Sequence, residues 1–374
     1  MRILQLVGRS HRRGAEIVAL ELAHELEALG HESRFAAIGL GHDGGRDPAL
    51  PPVTHQRTTG PRAVIASVVP LRRLIVRERI DLVLAHGAAA AGSAALARRR
   101  DRPLIVWQRI LGFPPGALRT GKRQWLQFIA HRSDAVVALT TRLADETREI
   151  GFRGPVWLIG NSRNPERFVR VDRGEAQARL REEIGVAPNV PLIGFVGHLV
   201  PQKRPERALD VLEGVLTRDQ SAHLVIAGSG PLRSRLEKEI AERGLSASVS
   251  LLGHRSDVET VYGGVELVVL TSDAEGIPGV ALESLLTGCP VVTFPLGGVG
   301  TVVEDGKTGI VLDRADASLM AEHVVRLLRD PECRCRLGAE GRRRADAFSM
   351  RRAATEYSER FVELAARIEA LTGL

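Results

Sequence analysis

The chain has 374 residues, 44% hydrophobic and 26% charged, with a formal net charge of +7 and three cysteines. That length exceeds what one core usually holds, so two globular domains are expected, and three cysteines are too few for a disulfide framework. No run of about 18 apolar residues occurs, which excludes a hydrophobic spanning helix, and the opening MRILQLVGRSHRRG lacks a signal-peptide cleavage pattern, so a cytoplasmic location is expected.

The charge is uneven. Residues 1–170 carry 27 Lys+Arg against 15 Asp+Glu, a net of +12, whereas residues 171–374 carry 25 against 30. Such asymmetry suggests an acidic partner for the first half, with an arginine-rich solvated surface as the plain alternative. Aromatic content is only 4% and no helix-turn-helix, zinc finger or aromatic RNA motif is visible, which argues against nucleic acid.

In chain order, the first half alternates short β-rich runs with helical patterns. Strands are expected at 2–8, 33–39, 81–86, 103–108, 134–140 and 155–160, and helices at 16–29, 64–78, 93–100 and 123–132. The segment 161–173, NSRNPERFVRVDR, is polar and irregular and reads as an interdomain connection. The alternation then restarts. Strands are expected at 191–197, 223–228, 248–253, 266–272, 290–294 and 308–312, with helices beginning near Pro205, Pro231, Asp257, Gly279 and Asp316. Residues 331–372 read as helix with a break near Phe348. Strands alternating with helices specify parallel sheets, so the fold class is α/β with two doubly wound, Rossmann-like domains. Ligands of such sheets bind at the carboxyl ends of the strands, and a cleft between the domains is the expected site.

Those strand ends carry the chemistry. Glu275 follows strand 266–272, Gly276 and Pro278 make a turn, and a helix opens at Gly279 with Glu283 one turn in. A helix start suits a phosphate or a polar sugar edge, and a carboxylate can hold a vicinal diol. Two carboxylates flanking such a turn fit a ligand with sugar, diphosphate and sugar in series. Lys203 lies in a basic loop after strand 191–197, within reach of a phosphate. Gly228 and Gly230 form a further turn after strand 223–228, and His254 and Arg255 follow strand 248–253. No Asp-x-Asp occurs, so no metal site is expected and the diphosphate must be neutralised by side chains and helix N-termini.

Together these stretches resemble the group-1 retaining glycosyltransferases of the GT-B fold, over nearly the whole chain. The most specific mark is the E-G-x-P-x-x-x-x-E pattern, complete here as Glu275, Gly276, Pro278 and Glu283. Gly197-His198-Leu199 with Lys203 matches a second family motif with His in place of Arg, and Gly228-Ser229-Gly230-Pro231 matches a third. Asn161 matches the residue that opens the second domain, and Gly30-His31 the pair after the first long helix. The resemblance implies an N-terminal acceptor domain over 1–160, rejoined by a C-terminal helix of about 350–374, and a donor domain over 161–349. It implies that Glu275 contacts the transferred sugar and Lys203 neutralises the diphosphate, these two being the expected catalytic residues. Glu283 is expected to hold the donor ribose, with His198, Arg204, Gly14, Gly228, His254, Arg255 and the turn Gly276, Ile277, Pro278, Gly279 and Val280 around the rest of the donor. Arg204 is expected to compensate for His198. Arg9, Arg12, Arg13, His86 and Arg109 are expected on the acceptor side, where the first-loop Arg9, Arg12 and Arg13 could grip a phosphate.

The family also departs from this chain in three places. Its first-loop glycine pair is reduced to Gly14, Gln108-Arg109 stands where a His is common, and Thr301 replaces a Glu after Gly297-Gly298. The expected reaction is transfer of a hexose from a UDP- or GDP-linked sugar to a hydroxyl of a glycan, lipid-linked or phosphorylated acceptor, with retention, in cell-envelope polysaccharide or lipopolysaccharide synthesis, and without a cofactor. A nucleotide-sugar epimerase of the same shape, or a non-catalytic homologue binding an acidic polymer, is the alternative. An anionic inner membrane surface is a further expected partner, on two segments. LRRLIVRER (71–79) mixes arginines with aliphatics, and GKRQWLQFIAHR (121–132) sets Lys122, Arg123 and Arg132 beside Trp125, Leu126, Phe128 and Ile129.

Overall fold

The computed structural model describes residues 1–11, 14–41, 47–57, 59–99, 102–112, 120–218 and 221–372. Its elements run β1 (Arg2–Ser10), α1 (Gly14–Ala28), β2 (Glu32–Leu40), α2 (Pro61–Arg77), β3 (Leu82–His86), α3 (Ala88–Ala97), β4 (Leu104–Arg109), α4 (Thr120–His131), β5 (Ala135–Ala138), α5 (Thr141–Glu149) and β6 (Val156–Leu158). They continue with α6 (Glu166–Val169), α7 (Arg173–Ile184), β7 (Leu192–Val196), α8 (Pro205–Leu216), β8 (His223–Ala227), α9 (Arg233–Glu242), β9 (Val249–Gly253), α10 (Val258–Gly264), β10 (Leu267–Leu270) and α11 (Gly279–Leu286). The rest is β11 (Val291–Thr293), β12 (Gly309–Val311), α12 (Ala317–Arg329), α13 (Pro331–Ala345) and α14 (Met350–Thr372). All twelve expected strands are present, each shifted by a few residues at most. The chain forms two compact units, Met1–Ser162 with Met350–Leu374, and Arg163–Ser349.

In the first unit a parallel sheet has the order β2-β1-β3-β4-β5-β6. Side chains alternate between its faces, and helices cover both, which is why its strands read as nearly unbroken apolar runs. Leu4, Leu6, Val83, Ile105 and Trp107 pack with α2, α3 and α4 on one face. Ile3, Leu82, Leu84, Val106 and Val137 pack with α1 and α14 on the other, where Tyr357, Phe361 and Leu364 complete the core.

The aromatic stripe of α4 belongs to the first of these cores. Trp125 stacks on Phe128 with centroids 5.5 Å apart, and its ring lies over Gly92, where an added Cβ would come within 2.4 Å. Leu126 and Ile129 are buried in the same cluster. This corrects the expectation that Trp125 and its neighbours form an interfacial helix. The stripe covers small residues of α3, while Lys122, Arg123 and Gln124 are exposed.

The second unit repeats the plan with order β12-β11-β10-β7-β8-β9, again parallel. Asp172 caps α7 by accepting from the amides of Gly174 and Glu175, at 2.8 and 3.1 Å, and Gly185 ends the helix in the left-handed region. Asp316 caps α12 in the same way. The strand order reverses between β7 and β10, which makes the carboxyl ends of those two strands the topological switch point.

Candidate active site at the strand ends of the second unit

The loops after β7 and β10 are joined by backbone. Asp273 N donates to Gln202 O at 2.9 Å, and Thr271 Oγ1 donates to the carbonyls of Lys203 and Arg204 at 3.2 and 3.0 Å. The Gln202 side chain returns a bond to Ala274 O at 2.8 Å. This fixes Lys203, at the end of a single 3-10 turn, opposite Glu275. The Lys203 ammonium pairs with Glu275 Oε1, and Ser272 Oγ donates to the same oxygen at 2.7 Å. Among the described residues, Glu275 Oε2 accepts no hydrogen bond, so a nearly buried carboxylate keeps one oxygen for a ligand.

Glu283 is held differently. Arg163 Nε donates to its Oε1 and Tyr262 Oη to its Oε2, each at 2.7 Å. Burial, together with the neighbouring Glu283 charge, drives the Tyr262 pKa far up, so the phenol stays a donor. Each carboxylate oxygen retains a second lone pair. The Arg163 guanidinium comes close to Gly279, where a Cβ would lie within 1.9 Å of Nη2. A larger residue there would push the buried guanidinium away from Glu283 at the start of α11. A second close approach builds the neighbouring loops. The Gly197 carbonyl lies where a Gly228 Cβ would be, at 1.8 Å, while Gly197 N bonds Ala227 O and Gly228 N bonds Gly253 O.

The other expected donor residues fall around this centre. Gly276, Ile277 and Pro278 form the turn, with Ile277 buried, and Val280 packs toward the core. His198 is half-buried after β7, and His254 is exposed after β9. Arg255 makes a bidentate pair with Asp257 at 2.8 Å and also pairs with Glu183, and the first contact holds the Asp257 carboxyl below its ordinary range. Arg204 follows Lys203 at the start of α8. Its guanidinium is engaged by Glu206 at 3.1 Å and Asp273 at 3.4 Å.

In the first unit, two expectations are corrected. His86 is 4% exposed, with Nδ1 2.5 Å from Gln108 Oε1 and Nε2 2.8 Å from Gln5 Oε1. Burial lowers its pKa to about 4, so the ring is neutral and only one nitrogen carries a proton. Gln108 Nε2 donates to Tyr357 Oη at 2.8 Å, which leaves its oxygen to accept from Nδ1–H. Nε2 is then an acceptor, and the Gln5 amide must turn its NH₂ toward it, which also satisfies a nitrogen otherwise without a partner. His86 is thus a link in a chain from β1 to α14, not an acceptor contact. Arg109 is 2% exposed, bonded to Glu146, Leu143 O and Thr147 Oγ1, and 5.4 Å from the Trp107 ring. It too is an internal tie. Arg9 lies one residue before the end of β1 and donates to Arg57 O at 2.8 Å, and Gly14 opens α1 with nothing within 4 Å of a Cβ. Arg12 and Arg13 lie outside the described residues.

The family model described as "Glycosyl transferases group 1" matches residues 176–344, and that of "Glycosyltransferase Family 4" matches residues 12–167. The alpha-D-kanosaminyltransferase of Streptomyces kanamyceticus is 34% identical over 282 residues, 71% of this chain and 72% of that enzyme. The chain belongs to the group 1 glycosyltransferases. The D-inositol 3-phosphate glycosyltransferase of Nocardia farcinica (strain IFM 10152) is 30% identical over 285 residues, 73% of this chain and 59% of that relative, so the glycosyltransferase spans less than two thirds of it. Anabaena Alr3699/HepE, solved in complex with UDP and glucose, superposes with a TM-score of 0.81 over 97% of this chain and 100% of its own, at 20% identity. That likeness shows the GT-B fold.

Arg163, Ser272 and Tyr262 were not among the expected site residues. Arg163 sits in the stretch read as a connection, and no local pattern marks it. Tyr262 carried a faint signal, as one of only two tyrosines in the chain.

Proposed function

We propose that this glycosyltransferase moves a hexose from a nucleoside diphosphate sugar to an acceptor hydroxyl with retention of anomeric configuration. The second unit takes the donor, and the first unit takes the acceptor. The observation that carries this reading is the Lys203–Glu275 pair at the switch point of the second sheet, with Glu283 held in place one helical turn away. In this reading Glu283 accepts from the donor ribose hydroxyls, using the lone pairs that Arg163 and Tyr262 leave. The open oxygen of Glu275 accepts from a hydroxyl of the transferred sugar. Lys203 faces the diphosphate and offsets the charge that grows as the bond from the anomeric carbon to the diphosphate oxygen breaks. The acceptor oxygen forms its bond to that carbon on the same face, and its proton passes to the departing diphosphate oxygen, so no protein base is required. The neighbour crystallised with UDP and glucose supports a uridine diphosphate sugar as donor. One relative is named for the sugar it transfers and the other for its acceptor, D-inositol 3-phosphate, which supports a small-molecule hydroxyl as the acceptor class.

The test is a panel of nucleotide sugars read by thermal stabilisation. A donor at 100 times its Kd should stabilise the protein by roughly 2.7 kcal/mol. The donor found is then used in turnover, with product anomer read by NMR. Stabilisation by no nucleotide sugar, or a product of inverted configuration, overturns the reading.

A further inference from the structure

The outer face of α2 carries an arrangement that the sugar-transfer site does not use. Ile65, Val69 and Val76 are 68%, 54% and 72% exposed on a helix whose other side is core. At about 100° per residue, the three fall within about 40° of one another, and Arg62, Arg73 and Arg77 occupy about the next 80°. All three arginines are exposed. The helix contains no acidic residue. Arg73 and Arg77 also line an open groove of about 360 Å³, with Phe35, Pro51, Val53 and Leu74 on its walls. An aliphatic stripe thus runs beside a row of guanidinium groups, and an apolar recess lies beyond them.

We infer that this face of α2 docks on the surface of an anionic lipid bilayer. Three features choose that occupant. The face is basic overall, with Arg62 and Arg73 joined by Arg77, whose charge Glu78 partly answers at 2.8 Å, so a second copy of the chain would set arginine against arginine. The exposed side chains are aliphatic and small, without the aromatic anchors that centre a protein interface. Exposed aliphatic residues beside basic ones along one helix face are what a headgroup boundary accommodates, with the apolar stripe entering the acyl edge and the cations at the phosphates. The first half's net charge of +12 acts in the same direction. The inference is independent of the donor chemistry, and of the two segments expected to meet a membrane it keeps the one on α2 and extends it to Arg62, Ile65 and Val69.

Co-sedimentation of the full chain with vesicles of phosphatidylcholine alone, or enriched in phosphatidylglycerol, tests it without any sugar present. Binding to the anionic vesicles is expected, weakening strongly at about 1 M salt, where the Debye length is about 3 Å. Ile65→Ser, Val69→Ser, Val76→Ser together should lower partitioning by at least about tenfold. Arg62→Gln, Arg73→Gln, Arg77→Gln together should lower it by about a hundredfold. Both sets lie on the exposed face, and an unchanged melting temperature confirms that each variant folds. Lys122→Ala, Arg123→Ala on α4 should have a smaller effect than either. No binding to anionic vesicles, binding that neither set alters, or a change in oligomeric state on substitution of the stripe overturns the inference.

Discussion

Glu275 presents one oxygen to Lys203 and Ser272 and keeps the other open, whereas Glu283 is clamped on both sides. The two should therefore fail differently. Glu275→Gln keeps shape but loses the charge that Lys203 answers, and turnover should fall by about 10²–10³-fold with little change in KM for the donor. Glu283→Ala should chiefly raise KM, since a hydrogen bond to a charged group contributes about 1.5–3 kcal/mol. Steady-state kinetics of both variants separates the effects, and wild-type turnover in the double variant would sink the assignment. Arg163 acts through Glu283 and is a positioning residue. Arg163→Gln should raise donor KM by about tenfold with kcat nearly kept, and Arg163→Lys should recover part of the loss. A fall in kcat with KM unmoved would place Arg163 elsewhere.

At the scale of elements, the network Gln5–His86–Gln108–Tyr357 ties β1, β3 and β4 to α14. It makes the first unit acid-sensitive. His86 has a folded pKa of about 4, below its unfolded value of about 6.5, so the unfolded chain binds the proton first as pH falls. Stability is complete above about pH 6.5, declines between about pH 6.5 and 4, and levels below that, a loss of roughly 3 kcal/mol at 1.36 kcal/mol per pKa unit. Burial lowers the pKa of His31 and His223 as well, which adds loss of the same sign. Melting temperatures of wild type and His86→Gln should converge on acidification. A gap that stays constant from pH 7 to pH 4 would show that His86 is not the titrating group.

Elements also show what the sequence made legible. Every strand was readable because a parallel sheet covered on both faces demands continuous apolar runs. The helices α5 and α7 were not read, and the reason is visible in TRLADETRE and RGEAQARLREEI. Each buries only two side chains, Leu143 and Thr147 in one and Ala176 and Leu180 in the other, so no apolar period announces them. For α4 the period was right and the partner wrong, since the small residues of α3 that receive Trp125 are distant in sequence. The Glu275–Glu283 spacing was legible because it is local to one strand-turn-helix junction. Arg163 lies 120 residues from Glu283, and pairings at that distance leave no trace in a single chain.

At the scale of the whole molecule, charge neutralisation of the donor should need no divalent cation. The chain contains no Asp-x-Asp, and Lys203 stands at the strand end where a diphosphate would be held. Turnover should therefore persist in EDTA. Loss of activity with recovery on adding Mg²⁺ or Mn²⁺ would show that a metal bridges the diphosphate. The helix α14 has its own consequence at this scale. It supplies Met350, Ala354, Tyr357, Phe361 and Leu364 to a core whose other members precede residue 160. During synthesis, the ribosome makes all of Arg163–Ser349 before that helix exists. The first unit then waits with the part of that sheet face that α14 covers still open, α1 shielding only the rest, while every residue of the second is already made. A nascent chain arrested just before Met350 should expose hydrophobic surface from its N-terminal portion alone, and that interval is when it most needs a chaperone.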